Sequence, residues 1–284
     1  MEISFAIRQI SNIRDLYEYG QKIATWLPQF EEQTGRIMES RPAKEVRFII
    51  FHDIDSAAAV FNAGSCPAWS DMNKGLIHLC PDPIEWRKVL QEETEYLQAD
   101  NNAAIRLERF YRMWTMRYIA TVFIGQGIAW RYQPFQILNG FAALRWLYRG
   151  LALHVGRQLW EICEPYVPDE TEQFVQLAAE GIKTIGEEWT LQQLAPLPPS
   201  SRLQPALQPW LPPPTLFSDL MAAAAAAELT ARSGGIPQLC VRLTSALPQC
   251  HPHADLRSLL QALGLYDEAT LEVLKRFKIK TTIV

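Results

Sequence analysis

Two aspartates close a short apolar segment near residue 50, at a place where carboxylates often take part in acid–base or metal chemistry. Asp53 and Asp55 lie at the end of segment 45–53 (EVRFIIFHD) and just beyond it, and the β-branched and aromatic residues of this segment predict a buried strand. A carboxylate in this place can act as a general base, but aspartate is equally typical of turns and caps. A magnesium site would need more carboxylates than the sequence places beside these two. Asp53 and Asp55 are therefore candidate catalytic residues, with a structural role as the alternative.

A second group of acidic side chains lies on a predicted helix. Asp82 is a typical helix cap, and the apolar pattern after it continues to about residue 100. Glu92, Glu93 and Glu95 cluster within this helix. The alternative to a catalytic role for this cluster is the solvated face of an ordinary helix.

The sequence around this helix resembles the neighbourhood of the zinc helix in zincin metallopeptidases. A short predicted strand over 75–80 (GLIHLC), a turn and the amphipathic segment VLQEETEYLQ follow one another. That family carries His-Glu-x-x-His on such a helix, where the two histidines bind zinc and the glutamate activates water. The matching positions here are Glu92, Glu93 and Tyr96, so only the central glutamate is kept. The resemblance implies a zincin-like fold with a degenerate zinc helix, which is inactive or has altered hydrolase chemistry.

Thiols and imidazoles near the C-terminus form another possible metal site, made of Cys240, Cys250, His251 and His253. These ligand types suit zinc, but the spacing C-x9-C-H-x-H matches no common zinc finger. We therefore expect no metal at this site. We also expect no cofactor, because the chain lacks the usual phosphate-binding, dinucleotide-binding and nucleophile-elbow motifs. The five cysteines, an odd number at irregular spacings, are expected to be reduced thiols.

Arginine dominates the middle of the chain. Residues 101–160 carry eight arginines and one acidic residue, a net charge of +7, whereas residues 161–194 carry a net charge of −7. Neighbouring segments of opposite charge predict internal pairing, in which these arginines contact carboxylates from 85–100 or 161–194. The alternative is an anionic partner, because guanidinium groups bind carboxylates and phosphates in a bidentate manner. On that alternative, the candidate binding residues are Arg145, Arg149 and Arg157.

The apolar patterning predicts a mainly α-helical chain with a small N-terminal sheet, an α+β fold. About three strands are expected, with the turn-rich segment GSCPAWSDMNKG between the last two. These strands are predicted at 45–53, 57–64 and 75–80. Helical periodicity predicts long helices that pack as a bundle, at 11–33, 83–100, 103–122, 137–163 and 169–194.

A proline-rich segment divides the chain. Residues 195–214 contain eight prolines in twenty positions, so they predict an extended linker or a surface arm, with Trp210 as a candidate binding residue. Residues 1–194 are then the main domain and 215–284 a small helical subdomain. Gly234 and Gly235 are expected to end the first helix of that subdomain. Its helices are predicted at 216–232, 237–247, 253–263 and 267–278.

The composition narrows the function without naming it. A net charge of −4 disfavours a general polyanion binder, which makes nucleic acid a disfavoured partner. The N-terminal segment is interrupted by Arg8, Arg14 and Asp15, so it is not typical of a signal peptide. The most apolar part of the chain contains no uncharged run of about 18 residues, so no membrane span is predicted. These features favour a soluble, cytoplasmic protein.

The leading hypothesis from the sequence is a non-catalytic adaptor or assembly protein that acts through protein–protein contacts. It rests on the missing catalytic motifs, on the nine tryptophans and on the proline-rich arm, since tryptophan and arginine are enriched at interface hot spots. The alternative is the degenerate zincin-like protein. The two are distinguished by whether Glu92, Glu93 and Tyr96 line a cleft or face open solvent.

Overall fold

The computed structural model describes several separate parts of the chain. They are residues 3–5, 13–41, 47–51, 68–71, 76–79, 127–163 and 214–276. Helices dominate these residues, and a small sheet lies near the N-terminus. The predicted fold class, mainly α with a small N-terminal sheet and a helical C-terminal part, is confirmed.

Four short strands form the sheet in the described residues. They are β1 (Ile3–Phe5), β2 (Arg47–Ile50), β3 (Ala68–Asp71) and β4 (Leu76–Leu79). Their order is β1-β2-β4-β3; β1 and β4 run parallel to β2, and β3 runs antiparallel to β4. Parallel strands need a long connection, and helix α1 (Ile13–Met38) lies between β1 and β2 in the chain.

Two parts of the sheet differ from the prediction. β3 lies inside the segment that its turn residues marked as a loop, and β1 was not predicted. β3 is an edge strand whose ladder partner is β4, with Trp69 opposite His78, so tertiary pairing overrides the local pattern. The strands predicted over 45–53 and 75–80 are confirmed, while the one predicted at 57–64 lies outside the described residues.

Helix α1 runs five residues past its predicted end at residue 33. Pro28 lies inside the helix at an exposed position, where it removes a backbone hydrogen bond. Three buried residues at four-residue spacing, Phe30, Thr34 and Met38, continue the inward face beyond the proline. Burial of this face therefore outweighs the local cost of the proline.

The helix predicted over 137–163 is divided into two helices. Helix α2 (Gln133–Asn139) begins with Pro134 in its first turn, where the missing N–H needs no partner. It ends at Gly140, whose N–H donates to the carbonyl oxygen of Ile137 at 3.1 Å. A 3-10 turn (Ala142–Leu144) then leads into helix α3 (Arg145–Cys163).

Helix α3 is the central helix of the described residues. Its buried side chains lie around most of the axis, apart from the face that carries Arg145 and Arg149. They include Trp146, Leu147, Leu151, Val155 and Leu159. A helix that buries side chains around most of its axis is typical of the interior of a domain. Helix α4 (Pro214–Arg232) packs along α3, and Gly150 faces Ala222 and Ala226 at the contact. The two helices therefore share one hydrophobic core.

Three further α-helices follow in the described part of the C-terminal region. They are α5 (Ile236–Ala246), α6 (Leu256–Ala262) and α7 (Glu268–Arg276). As expected, the helix before them ends at a glycine pair, because Gly234 and Gly235 have φ angles of 90° and 115°, which favour residues without a Cβ atom. α5 packs against α2 and α1, and α7 packs against α4.

Side chains of this C-terminal part hold its helix ends. Asp255 accepts the backbone N–H of Ser258 at 2.6 Å, and Asp267 accepts that of Thr270 at 2.7 Å. Arg242 donates to two carbonyl oxygens just past α6, those of residues 263 and 264, at 3.0 and 2.9 Å. These charged groups satisfy backbone groups that a helix leaves without a partner at its ends.

The proposed division into domains stays a prediction. The linker predicted at 195–214 lies outside the described residues apart from Pro214, which begins α4. The helices predicted at 83–100, 103–122 and 169–194 also lie outside them. None of the helices that the structure describes has the length and apolar character needed to cross a bilayer.

Candidate functional site

Helix α3 carries the three arginines that the sequence marks as binding candidates. Arg145 is its first residue and is exposed, whereas Arg149 and Arg157 are half-buried. At about 100° per residue, Arg149 lies roughly 40° from Arg145 around the helix axis, and Arg157 roughly 120°. The structure therefore places Arg145 and Arg149 on one face and Arg157 on another.

The surroundings of the three arginines differ. Arg149 and Arg157 both have interaction partners. The charge of Arg149 acts on the pKa of half-buried Tyr148, and the charge of Arg157 acts on the pKa of half-buried His154. Arg145 forms no ion pair with any residue in the described ranges. Within this trio, Arg145 is therefore the exposed guanidinium that forms no ion pair inside the part of the chain that the structure describes.

The position of Arg145 is electrostatically unfavourable for the helix itself. The N-terminal end of an α-helix carries partial positive charge, so acidic side chains stabilise it and basic ones do the reverse. The first turn of α3 contains no acidic residue. The arginine therefore adds positive charge to a positive helix end, and an anionic group placed there would be stabilised by both.

His154 lies on the opposite side of α3 from Arg145. Burial, followed by the charge of Arg157, lowers the pKa of His154 to about 4. Its Nε2 atom lies 3.4 Å from the side-chain nitrogen of Gln158. The imidazole is therefore neutral at physiological pH and serves packing and hydrogen bonding, as expected for a histidine in an apolar helix.

Tyr148 of α3 packs against α2 through its aromatic ring. Its ring meets that of Phe135 edge-on, with 6.4 Å between the centroids. Burial raises the pKa of the Tyr148 hydroxyl to about 12, and the positive charge of Arg149 only partly opposes this. The phenol is therefore protonated and contributes to the contact between α2 and α3.

An ion pair links the short helical segment 127–131 to α1. Arg131 Nη2 lies 2.5 Å from Glu31 Oε1, and the side chains are 13% and 40% exposed. The hydroxyl of Tyr132 donates to the backbone carbonyl of Glu31 at 3.4 Å, and burial raises the pKa of that hydroxyl. Internal pairing of an arginine from 101–160 is thus observed, but with α1.

This pairing does not show in the charge pattern of the sequence, where only segments with a large net charge stand out. α1 carries acidic and basic residues in near balance, so a count by segment does not single out Glu31. The spacing of apolar residues in α1 was the available signal, since it fixes which face of the helix turns inward. The acidic segments proposed as partners, 85–100 and 161–194, lie outside the described residues apart from the end of α3.

The remaining predicted site residues lie outside the described residues. They are Asp53, Asp55, Glu92, Glu93, Tyr96 and Trp210. Near the first two, Phe51 follows β2 and stacks on His78 of β4, with 5.7 Å between the ring centroids. His78 is 1% exposed, so it belongs to the core of the sheet, as expected for a histidine in an apolar strand.

The thiols and imidazoles of the C-terminal part are spread over different environments. Cys240 is buried in α5, and burial raises its pKa to about 12. Cys250 is half-buried and donates to the carbonyl oxygen of Ala246 at 3.5 Å. His251 and His253 are exposed, and the Nδ1 atom of His251 accepts the backbone N–H of His253 at 3.2 Å. In the described ranges, histidine, cysteine and acidic side chains form no group of three that could hold a metal ion.

Comparison of the chain with protein families, with curated proteins and with solved structures finds no match.

Proposed function

We propose that the protein is a non-catalytic adaptor that binds a partner protein through acidic side chains of that partner. The observation that supports this is the exposed guanidinium of Arg145 at the positive end of α3, where no described residue forms an ion pair with it. Arginine binds carboxylates in a bidentate manner and is enriched at interface hot spots.

The environments of Asp255, Asp267 and Cys240 also support binding over catalysis. Asp255 and Asp267 are occupied as helix caps. The Cys240 thiol stays protonated because burial raises its pKa to about 12, and a thiol is reactive only as the thiolate. These groups therefore serve the stability of α5, α6 and α7.

An acidic protein surface is the partner that this arrangement favours. The chain as a whole has a net charge of −4, which opposes binding to the continuous negative charge of nucleic acid. One exposed arginine at a helix end matches a single carboxylate or a short acidic segment better. We propose Trp210 as a second contact and the cytoplasm as the compartment, both on the basis of the sequence.

Affinity capture with charge-reversed variants tests the proposal. The full chain and its Arg145→Glu variant are used to capture proteins from an extract of the source cells. Lys275→Glu is the matched control, because Lys275 is also exposed and lies in the last turn of α7. We expect a stoichiometric partner with the wild-type chain and the control, and its loss with Arg145→Glu. Equal recovery with all three chains, or loss with both variants, would contradict a role for Arg145.

The zincin-like protein is the second candidate, and one observation favours it. β4 forms at Leu76–Leu79, where the resemblance places a strand before the degenerate helix, and it lies in the interior of the sheet. Glu93 would be the residue that retains hydrolase chemistry. Hydrolysis of a casein substrate by the wild-type chain and not by Glu93→Gln would favour this candidate over the adaptor. Absence of hydrolysis by the wild-type chain would exclude altered hydrolase chemistry with this substrate and leave an inactive zincin-like protein as the form of this candidate.

A further inference from the structure

We draw no further inference here: the strongest candidate, the surface cluster of Cys250, His251 and His253 between α5 and α6, carries nothing because the Nδ1 atom of His251 is already occupied by the backbone N–H of His253 and the described residues supply no group of three metal ligands there.

Discussion

Gly150 of α3 and Ala222 of α4 are in direct backbone contact. A Cβ atom added to Gly150 would lie 2.1 Å from the carbonyl oxygen of Ala222 and 3.0 Å from the Cβ atom of Ala226. The space that a side chain at position 150 would need is therefore filled by α4. This contact packs α4 of the C-terminal part against α3, the helix that also carries Arg145.

Replacing this glycine tests the contact between the two helices. We expect Gly150→Ala to lower the free energy of unfolding by about 1–3 kcal/mol, because the new methyl group forces the helices apart. Urea denaturation followed by circular dichroism measures the change.

Gly35→Ala is the matched control for this substitution. Gly35 lies inside α1, and the nearest atoms to an added Cβ are at 3.9 and 4.0 Å, so the methyl group fits. Alanine is favoured over glycine within a helix by roughly 0.5–1 kcal/mol, and we expect this variant to be stabilised. If Gly150→Ala were as stable as Gly35→Ala, the close contact between α3 and α4 would be wrong.

The fold could be predicted from the sequence where local patterns decide it. The alanine-rich run before Gly234 predicts the end of α4, and the helices predicted at 253–263 and 267–278 lie within three residues of the observed ends of α6 and α7. The edge strand β3 could not be predicted, because its pairing with β4 depends on residues outside its own segment.

The candidate site was predicted only in part, for a similar reason. The sequence identifies Arg145, Arg149 and Arg157 as charged residues of one helix, but burial separates them. Arg145 is exposed and the other two are half-buried, and this difference arises from the packing of α3 among other helices. Helical periodicity gives the position of each residue around the helix axis. It does not show which face of α3 is exposed to solvent, because α3 buries side chains around most of its axis.

The ion pair between Arg131 and Glu31 should couple α1 to the segment 127–131. A double-mutant cycle with Arg131→Met and Glu31→Gln measures the interaction directly. We expect a coupling free energy of about 1–2 kcal/mol, between the values typical of exposed and of fully buried pairs. The matched control is the pair of Arg36 and Glu32, also at 2.5 Å but 66% and 60% exposed, where about 0.3–0.5 kcal/mol is expected. Equal coupling in the two cycles would contradict the role of burial.

The Asp267 cap should make α7 sensitive to acid. The hydrogen bond from the Thr270 N–H lowers the pKa of Asp267 below its ordinary value of 3.8. Because the folded-state pKa is lower than the unfolded one, the stabilisation is complete above the unfolded pKa and is lost as the pH falls through the folded pKa. An asparagine side chain caps a helix without titrating, so Asp267→Asn should keep most of the stability at pH 7.

Thermal unfolding at pH 7 and at about pH 3 measures this effect. We expect the wild-type chain to lose more stability on acidification than Asp267→Asn does. Asp267→Ala should be less stable than both at pH 7, by about 1 kcal/mol. A wild-type chain and an Asp267→Asn variant with the same acid response would show that the carboxylate is not the group that caps α7.

Protonation of His154 should also lower the stability of the fold on acidification, at pH values above those at which Asp267 titrates. Its folded pKa, lowered to about 4 by burial and by Arg157, lies below the ordinary value of 6.5. The stability that the neutral imidazole contributes is therefore present above the unfolded pKa and is lost as the pH falls from about 6.5 towards about 4. We expect His154→Gln to reduce the fall in Tm between pH 7 and pH 5. An unchanged fall would mean that the imidazole is not buried as described.

Charge reversal at Arg145 should separate stability from binding. A glutamate at the positive end of α3 is favourable for the helix, so we expect Arg145→Glu to unfold at a Tm equal to or above that of the wild-type chain. Circular dichroism melting establishes this before any binding experiment. Loss of partner binding by this variant could then not be attributed to unfolding.

The most direct test of the account is the affinity of the captured partner for the wild-type chain and for Arg145→Glu, measured by titration calorimetry at two salt concentrations. A hot-spot arginine contributes about 2 kcal/mol or more, so we expect Kd to rise roughly 30-fold or more in the variant. The Kd of the wild-type chain should also rise with salt concentration, because salt screens an exposed ion pair. A partner that binds both chains with the same Kd and the same salt dependence would contradict the proposal that the exposed charge of Arg145 recognises an acidic protein surface.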